Sequence, residues 1–113
     1  MKQIKELLVD LYGCAGDLDD ADLLTSVLTD AARAMDSQVI KTIAHKFSPT
    51  GTTVILILAE THISIHTWPE YNYAALDIFI CSDEIDPETG WQVVQAALAP
   101  SSFDLHALTR IVR

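Results

Sequence analysis

The chain has 113 residues, 50% of them hydrophobic, which is enough apolar side chain for the core of one domain spanning residues 1–113. Sixteen acidic and seven basic residues give a formal net charge of −9, which argues against nucleic acid or anionic lipid as a partner and weakly favours a cationic ligand. The first ten residues lack the features of a secretion signal and the longest aliphatic run, residues 54–59, is too short to cross a bilayer, so we expect a cytoplasmic protein without a membrane span.

The first elements predicted along the chain are a strand and a helix. Residues Lys5 to Tyr12 favour a short strand that ends at Gly13. An acidic cluster that offers helix N-caps follows, and apolar residues then recur at steps of three and four, which predicts an amphipathic helix ending near Asp36. The cluster is Asp17, Asp19 and Asp20, and the apolar stripe is Leu24, Val27, Leu28, Ala31 and Met35.

Strand patterns occupy the middle of the chain. Residues 38–47 and 52–59 are rich in β-branched residues and flank a turn at Ser48–Gly51, which predicts a hairpin. Residues 63–68 and 73–81 then alternate between apolar and polar-reactive side chains. The apolar faces are predicted to carry Ile63, Ile65, Thr67, Leu76, Ile78 and Ile80, and the opposite faces His62, Ser64, His66, Trp68, Asp77, Phe79 and Cys81.

The last elements complete an α+β fold. Asp86 and Pro87 predict the start of a second helix that ends before Pro100, and residues 105–112 favour a final strand. We therefore expect an antiparallel β-sheet with two helices on one face. The strand 54–58 is apolar at every position and predicts burial on both faces, so the bare face is expected to pair with a second copy in a homodimer, an αββα sandwich.

The most informative residues lie between positions 45 and 81. They read HKFSP at 45–49, AETHISIHTWPEY at 59–71 and DIFIC at 77–81, and LLVDLYGC occupies 7–14. This set resembles the prokaryotic S-adenosylmethionine decarboxylases, a pyruvoyl-dependent family of self-cleaving proenzymes, over about residues 6 to 98. The resemblance implies decarboxylation of S-adenosylmethionine to the aminopropyl donor of spermidine synthesis.

The resemblance also places a cleavage site between Glu60 and Thr61. Decarboxylation of an α-amino acid requires a carbonyl group that takes up the electron pair left by carbon dioxide. A hydroxyl side chain generates one when it attacks the preceding peptide carbonyl and the resulting ester eliminates. Thr61 stands where the family has serine, so the covalent 2-oxoacyl group derived from it would be 2-oxobutanoyl instead of pyruvoyl. Its extra methyl group and secondary hydroxyl predict slower cleavage.

Three further residues match groups that act on the reacting bonds. His66 corresponds to the histidine of processing and catalysis, because an imidazole can remove the α-proton that drives elimination. Thr53 replaces a serine that assists cleavage, and Val54 beside it replaces a common glycine. Cys81 matches the residue that protonates the substrate carbanion, with a buried structural thiol as its plain alternative.

The substrate-binding residues are also implied by the resemblance. Phe47 matches a ring that stacks on adenine, and Glu70 a carboxylate that accepts hydrogen bonds from the ribose hydroxyls. Asp10 stands where the family has an acidic residue near the substrate. The alternatives are a core ring for Phe47, a solvated turn residue for Glu70 and an exposed strand charge for Asp10.

Other functions remain open on the sequence. One alternative is a family member that acts on arginine or ornithine, and another is an uncleaved, catalytically silent paralogue that regulates a related active subunit. A metal-binding module would use His45, His62, His66 or Cys81, but strand residues four apart are ~13 Å from each other, too far to share one ion. No metal is therefore expected.

Overall fold

The computed structural model describes residues 2–113, and six of its segments pair into one antiparallel sheet of strand order β2-β3-β4-β5-β1-β6. Two helices follow β1 and β5, and a one-turn 3₁₀ helix, Pro69–Tyr71, joins β4 to β5. The elements in chain order are β1 Lys2–Cys14, α1 Ala21–Ala34, β2 Val39–Lys46, β3 Thr52–Leu58, β4 Thr61–Trp68, β5 Tyr73–Ile80, α2 Pro87–Leu98 and β6 Pro100–Val112.

The α+β class is confirmed, and the terminal strands are longer than the sequence predicted. β1 begins at Lys2, and β6 begins at Pro100, five residues before the expected start at residue 105. The two strands pair along almost their full length, from Lys2 opposite Val112 to Cys14 opposite Pro100. Backbone hydrogen bonds between β1 and β6 stabilise both extensions, although these segments include polar residues of low strand propensity.

Both helices begin at the predicted caps and pack on the same face of the sheet. The Asp20 carboxylate accepts a hydrogen bond from the Leu23 amide at 3.0 Å, and the Asp86 carboxylate accepts one from the Glu88 amide at 3.0 Å. The apolar stripes of the helices and one face of the sheet form a single core. Its fully buried members include Leu24, Leu28, Val94, Leu98, Leu11, Val54, Leu56, Ile63, Ile65, Ile78 and Ile80.

The opposite sheet face, here called the open face, has no helix over it. In the single chain, Val54, Leu56 and Leu58 are buried beneath the helices, whereas Ile55 is half-buried and Ile57 is 39% exposed. Burial of this strand on its second face stays a prediction that depends on the homodimer. The alternation predicted for β4 and β5 is confirmed, with the polar-reactive residues on the open face. The open face therefore combines exposed aliphatic side chains with the residues of chemical interest.

Candidate active site

The predicted cleavage junction is a strained two-residue turn between β3 and β4. Leu58 lies opposite Thr61 in the register, so Ala59 and Glu60 form the turn. Thr61 has a φ of 138°, a backbone conformation that is costly for a β-branched residue. Its Oγ1 is buried and has no hydrogen-bond partner. A strained residue with an unsatisfied hydroxyl directly after a peptide carbonyl suits intramolecular attack on that carbonyl.

The carbonyl of Glu60 is held by a backbone donor. The Cys81 amide N–H donates a hydrogen bond of 2.9 Å to the Glu60 oxygen. A donor at this position polarises the carbonyl and stabilises the negative charge that develops when a nucleophile adds to it. Cys81 follows the end of β5, and its thiol is free and partly buried. The structure thus places Cys81 beside Glu60 and Thr61.

The Glu60 side chain is also anchored, by a residue that sequence reasoning missed. Ser37 is buried in the loop after α1, and its Oγ donates a hydrogen bond of 2.8 Å to Glu60 Oε2. Fixing this carboxylate restrains the peptide unit before Thr61. Ser37 lies 23 positions from Glu60 in sequence, and no local pattern in the sequence indicates the contact.

His66 and Thr53 form a second group at the far end of β3 and β4. They are directly opposite each other in the register, and Thr53 Oγ1 lies 2.8 Å from His66 Nδ1. The hydrogen bond holds the imidazole ring and assigns Nδ1 to the threonine, so Nε2 is the ring nitrogen left for chemistry. Threonine supplies the hydroxyl that serine would supply at position 53.

The predicted nucleoside-binding residues surround this pair. Phe47 and Glu70 line, together with Thr53, His66 and Trp68, a cavity of ≈ 330 Å³. Phe47 is 50% exposed, so it is not the core ring of the plain alternative. The ring of His45 packs edge-on against Phe47, with the centroids 4.6 Å apart. A half-exposed aromatic ring can stack on a flat base, and a carboxylate in the same cavity can accept hydrogen bonds from a diol. The two residues therefore suit a base joined to a sugar diol.

The turn that carries Phe47 is fastened to the segment before α1. Asp19 Oδ1 lies 2.7 Å from Lys46 Nζ and accepts a hydrogen bond of 3.0 Å from the Gly51 amide. The Lys46 ammonium holds the pKa of Asp19 below its ordinary value. The Lys46 ammonium also donates to the Asp19 carbonyl. One acidic residue of the predicted capping cluster therefore positions the wall of the cavity that carries Phe47.

The structure does not bring His66 to Thr61 within one chain. The two residues are five positions apart on β4, which corresponds to ~16 Å along a strand. Cys81 and Glu60 line a separate cleft of ≈ 270 Å³ at the other end of the sheet. The predicted residues accordingly form two groups: a cleavage end, Glu60, Thr61 and Cys81, and a pocket end, Phe47, Thr53, His66 and Glu70.

Asp10 lies on the open face at the level of His66, because both residues are opposite Ala75 of β5, and it is held by an aromatic residue. Tyr73 donates a hydrogen bond of 2.5 Å to Asp10 Oδ1, and this bond, with burial and the carboxylate charge, raises the pKa of Tyr73 to about 12. Asp10 and His66 line a common depression of ≈ 370 Å³ with Ser64, Asp77 and His106. The sequence analysis did not single out Tyr73, although it is four positions from Asp77 on β5 and therefore lies on the same face of the sheet.

A further titratable group lies beside the depression. His62 Nε2 is 3.5 Å from Asp77 Oδ2, and the His62 ring stacks on Phe79 with centroids 5.1 Å apart. The adjacent Glu6 is buried, and its desolvation together with a hydrogen bond and charge repulsion from Asp77 raises the pKa of Glu6. Asp77 Oδ1 is itself buried without a partner. The centre of the open face therefore carries two neighbouring carboxyl groups, Glu6 and Asp77.

Two other structural features bear on the alternatives. Among residues 2–113, no three His, Cys, Asp or Glu side chains are grouped so as to hold a metal ion, which leaves the metal-module hypothesis without support. α1 has 14 residues and α2 has 12, so neither described helix is long enough to span a bilayer.

Comparison with known proteins agrees with the motifs. Residues 5–111 match the sequence model of the S-adenosylmethionine decarboxylase family. The S-adenosylmethionine decarboxylase proenzyme of Methanococcus maripaludis strain C5 is 40% identical over 112 residues, which are 97% of this chain and 92% of the relative. The proenzyme of Acidithiobacillus ferrooxidans strain ATCC 53993 is 41% identical over 106 residues, covering 93% of this chain and 80% of the relative.

The fold agrees as well. The crystal structure of adenosylmethionine decarboxylase from Aquifex aeolicus VF5 superposes with a TM-score of 0.90 at 31% identity, covering 99% of this chain and 94% of that chain. The match includes the sheet and both helices, and hence the turn that carries Thr61. From these sequence and structural matches, the chain belongs to the S-adenosylmethionine decarboxylase family.

Proposed function

We propose that this protein decarboxylates S-adenosylmethionine for spermidine synthesis, using a 2-oxobutanoyl group made by self-cleavage between Glu60 and Thr61. The printed names of its relatives support the activity. The single observation that carries the proposal is the junction itself: a strained Thr61 with a buried, unpartnered hydroxyl follows a carbonyl that accepts a hydrogen bond from Cys81. These residues are suited to generating a 2-oxoacyl group at the new chain terminus.

Cleavage proceeds through an ester. Thr61 Oγ1 attacks the Glu60 carbonyl carbon while the Cys81 amide stabilises the oxyanion, and the C–N bond breaks to leave an ester and a free amine on residue 61. A base then removes the α-proton of residue 61, and β-elimination releases Glu60 as a carboxylate. The resulting enamine tautomerises to an imine, and water hydrolyses it with loss of ammonia to the 2-oxobutanoyl terminus.

The remaining residues bind the substrate and move protons. When formed, the 2-oxoacyl group supplies the carbonyl that takes up the electron pair left by carbon dioxide. Phe47 stacks on the adenine, Glu70 accepts hydrogen bonds from the ribose, and Asp10 attracts the positive charge of the substrate. The Cys81 thiol protonates the carbon from which carbon dioxide has left.

The separation of the two ends implies that a site is shared between two copies. Each open face carries a cleavage end and a pocket end ~16 Å apart on β4. Two open faces that pack against each other about a two-fold axis with antiparallel β4 strands bring the pocket end of one copy over the cleavage end of the other. Packing of this kind also covers Ile55 and Ile57. We include this homodimer in the proposal, with His66 acting on the Thr61 of its partner.

Co-expression of two single variants tests this arrangement. One chain carries Thr61→Ala, the other His66→Ala, and tags of different mass distinguish them. In a shared site, the His66→Ala chain retains Thr61 and receives His66 from its partner, so only that chain is cleaved in the mixed dimer. Denaturing mass spectrometry should show its fragments, the second with a 2-oxobutanoyl terminus. Cleavage of neither chain, with parental protein cleaved, would contradict the shared site.

Threonine at position 61 gives specific support to one alternative, an uncleaved paralogue that regulates an active subunit. Its secondary hydroxyl and extra methyl group slow both attack and elimination. The mass of the purified parental chain separates the two functions. One intact mass after prolonged incubation favours the regulatory paralogue, and two fragments favour the enzyme.

A further inference from the structure

The outer edge of β6 is long and unprotected. No strand among residues 2–113 pairs with this edge, and β6 runs for 13 residues from Pro100 to Val112. Its side chains are exposed on both faces of the sheet, including Phe103 at 39% and Leu108 and Ile111 at 48% each. Soluble proteins protect sheet edges because free N–H and C=O groups there recruit another strand.

The other edge of the sheet is protected in the usual ways. β2 has only eight residues, and its pairing with β3 is interrupted by an irregularity between Val39 and Lys41. Lys41 and Lys46 place charges along it. β6 has no lysine and no proline after its first residue. The contrast singles out β6 as the edge that is built to accept a strand.

We propose that β6 pairs antiparallel with β6 of a second copy, with Ala107 opposite Ala107 on the two-fold axis. This register places Asp104 of each copy opposite Arg110 of the other, so two ion pairs form symmetrically. It also places Phe103 opposite Ile111 twice on the helix-side face. Asp104 and Arg110 are each three positions from Ala107, so the strand is self-complementary in this register.

The charge arrangement within one chain supports this register. Asp104 lies directly opposite Asp10 on β1, and like charges in direct opposition weaken strand pairing. Burial is the largest cause of the raised pKa of Tyr12, and the charges of Asp10 and Asp104 raise it further. This shift agrees with a negative potential at this position. Within its own chain, Asp104 is opposite no cation. Arg110 of the second copy would neutralise this excess negative charge.

The resulting assembly leaves the candidate active site free. A two-fold axis perpendicular to the sheet joins two copies into one twelve-stranded sheet, with all helices on one side and both open faces on the other. The face-to-face homodimer of the proposed function then joins two such sheets into four chains. Edge pairing does not depend on decarboxylation, so loss of one interface is distinguishable from loss of the activity.

Exchanging the charges tests the ion pairs. Asp104→Arg and Arg110→Asp each place like charges opposite each other twice, and each should raise the dissociation constant of the edge contact by roughly tenfold or more. The double variant, Asp104→Arg with Arg110→Asp, restores opposite charges and should restore the association. Lys41→Asp on β2 is the matched control and should leave it unchanged. Sedimentation velocity from nanomolar to micromolar concentration gives the masses.

Oxidative cross-linking tests the register. In a Cys81→Ser background, Ala107→Cys places two thiols opposite each other on the two-fold axis and should give a disulfide-linked dimer on non-reducing denaturing gels. Thr109→Cys is the control, because position 109 faces Leu105 of the second copy. The proposal fails if neither variant cross-links, if both do so equally, or if the single charge variants keep the mass of the parent; circular dichroism confirms that each variant is folded.

Discussion

Thr53 Oγ1 lies 2.8 Å from His66 Nδ1, and the two residues are direct cross-strand neighbours on β3 and β4. The hydroxyl of Thr53 therefore orients the imidazole that we propose as the base. When Nδ1–H donates to Thr53, Nε2 carries the lone pair that accepts a proton.

Thr53→Val should slow self-cleavage about tenfold, because the shape of the side chain is kept and one hydrogen bond that orients the base is lost. Thr53→Ser should keep the parental rate. The rate is measured as loss of intact chain by denaturing mass spectrometry. Equal rates for the valine and serine variants would show that the hydroxyl has no part in cleavage.

Thr61→Ser should accelerate cleavage roughly tenfold to a hundredfold, because a primary hydroxyl without the extra methyl group attacks and eliminates more easily. The second fragment would then begin with a pyruvoyl instead of a 2-oxobutanoyl group, a difference of one CH₂ in mass. Thr61→Ala is the uncleavable control. A serine variant that stays as intact as the parent would argue against the enzyme function.

Glu70→Gln should weaken binding of S-adenosylmethionine by ~1.5–3 kcal/mol, because charge-assisted hydrogen bonds to the ribose are lost. Calorimetry in the Thr61→Ala background measures noncovalent binding alone. Arginine and ornithine have no ribose, so their binding should not change, and Glu88→Gln on exposed α2 is the control. Binding of arginine without binding of S-adenosylmethionine would overturn the substrate assignment.

Glu6→Gln should stabilise the protein at neutral pH. Burial, with repulsion from Asp77, raises the pKa of Glu6 above the ordinary 4.5, so the folded state binds its proton more tightly than the unfolded state. The free energy of unfolding therefore decreases as pH rises from 4.5 through the folded-state pKa. The variant should remove that dependence in urea titrations between pH 4 and 8. An unchanged profile would show that Glu6 does not carry the pH dependence.

Tyr73→Phe should remove a phenol whose pKa is raised to about 12. Its hydrogen bond to Asp10 raises the pKa of Tyr73 to about 12, so the stabilisation it provides is complete below about pH 10 and is lost as pH rises towards 12. Ultraviolet titration of the parent and the variant identifies this phenol. Because the substitution also releases the Asp10 carboxylate, substrate binding at neutral pH should weaken while the cleavage rate stays unchanged.

The periodicity of the sequence already determined much of this protein. Alternation on β4 and β5 separates Ile63, Ile65 and Ile78 from His66 and Asp77 without any tertiary information, because strand side chains project to opposite faces in turn. Asp86 and the acidic cluster that contains Asp20 indicate where the helices start, since a short acceptor before a helix satisfies its free amides. The motif around Thr61 indicated the family from contiguous residues.

Only the tertiary structure decided how these residues are combined. The ~16 Å between His66 and Thr61 follows from a continuous β4, and the contact of Cys81 with Glu60 depends on β5 pairing with β4 in one register. The bond from Ser37 to Glu60, the bond from Tyr73 to Asp10 and the bare edge of β6 arise from strands distant in sequence. Such contacts depend on the order and register of the whole sheet, which side-chain periodicity within one segment does not specify.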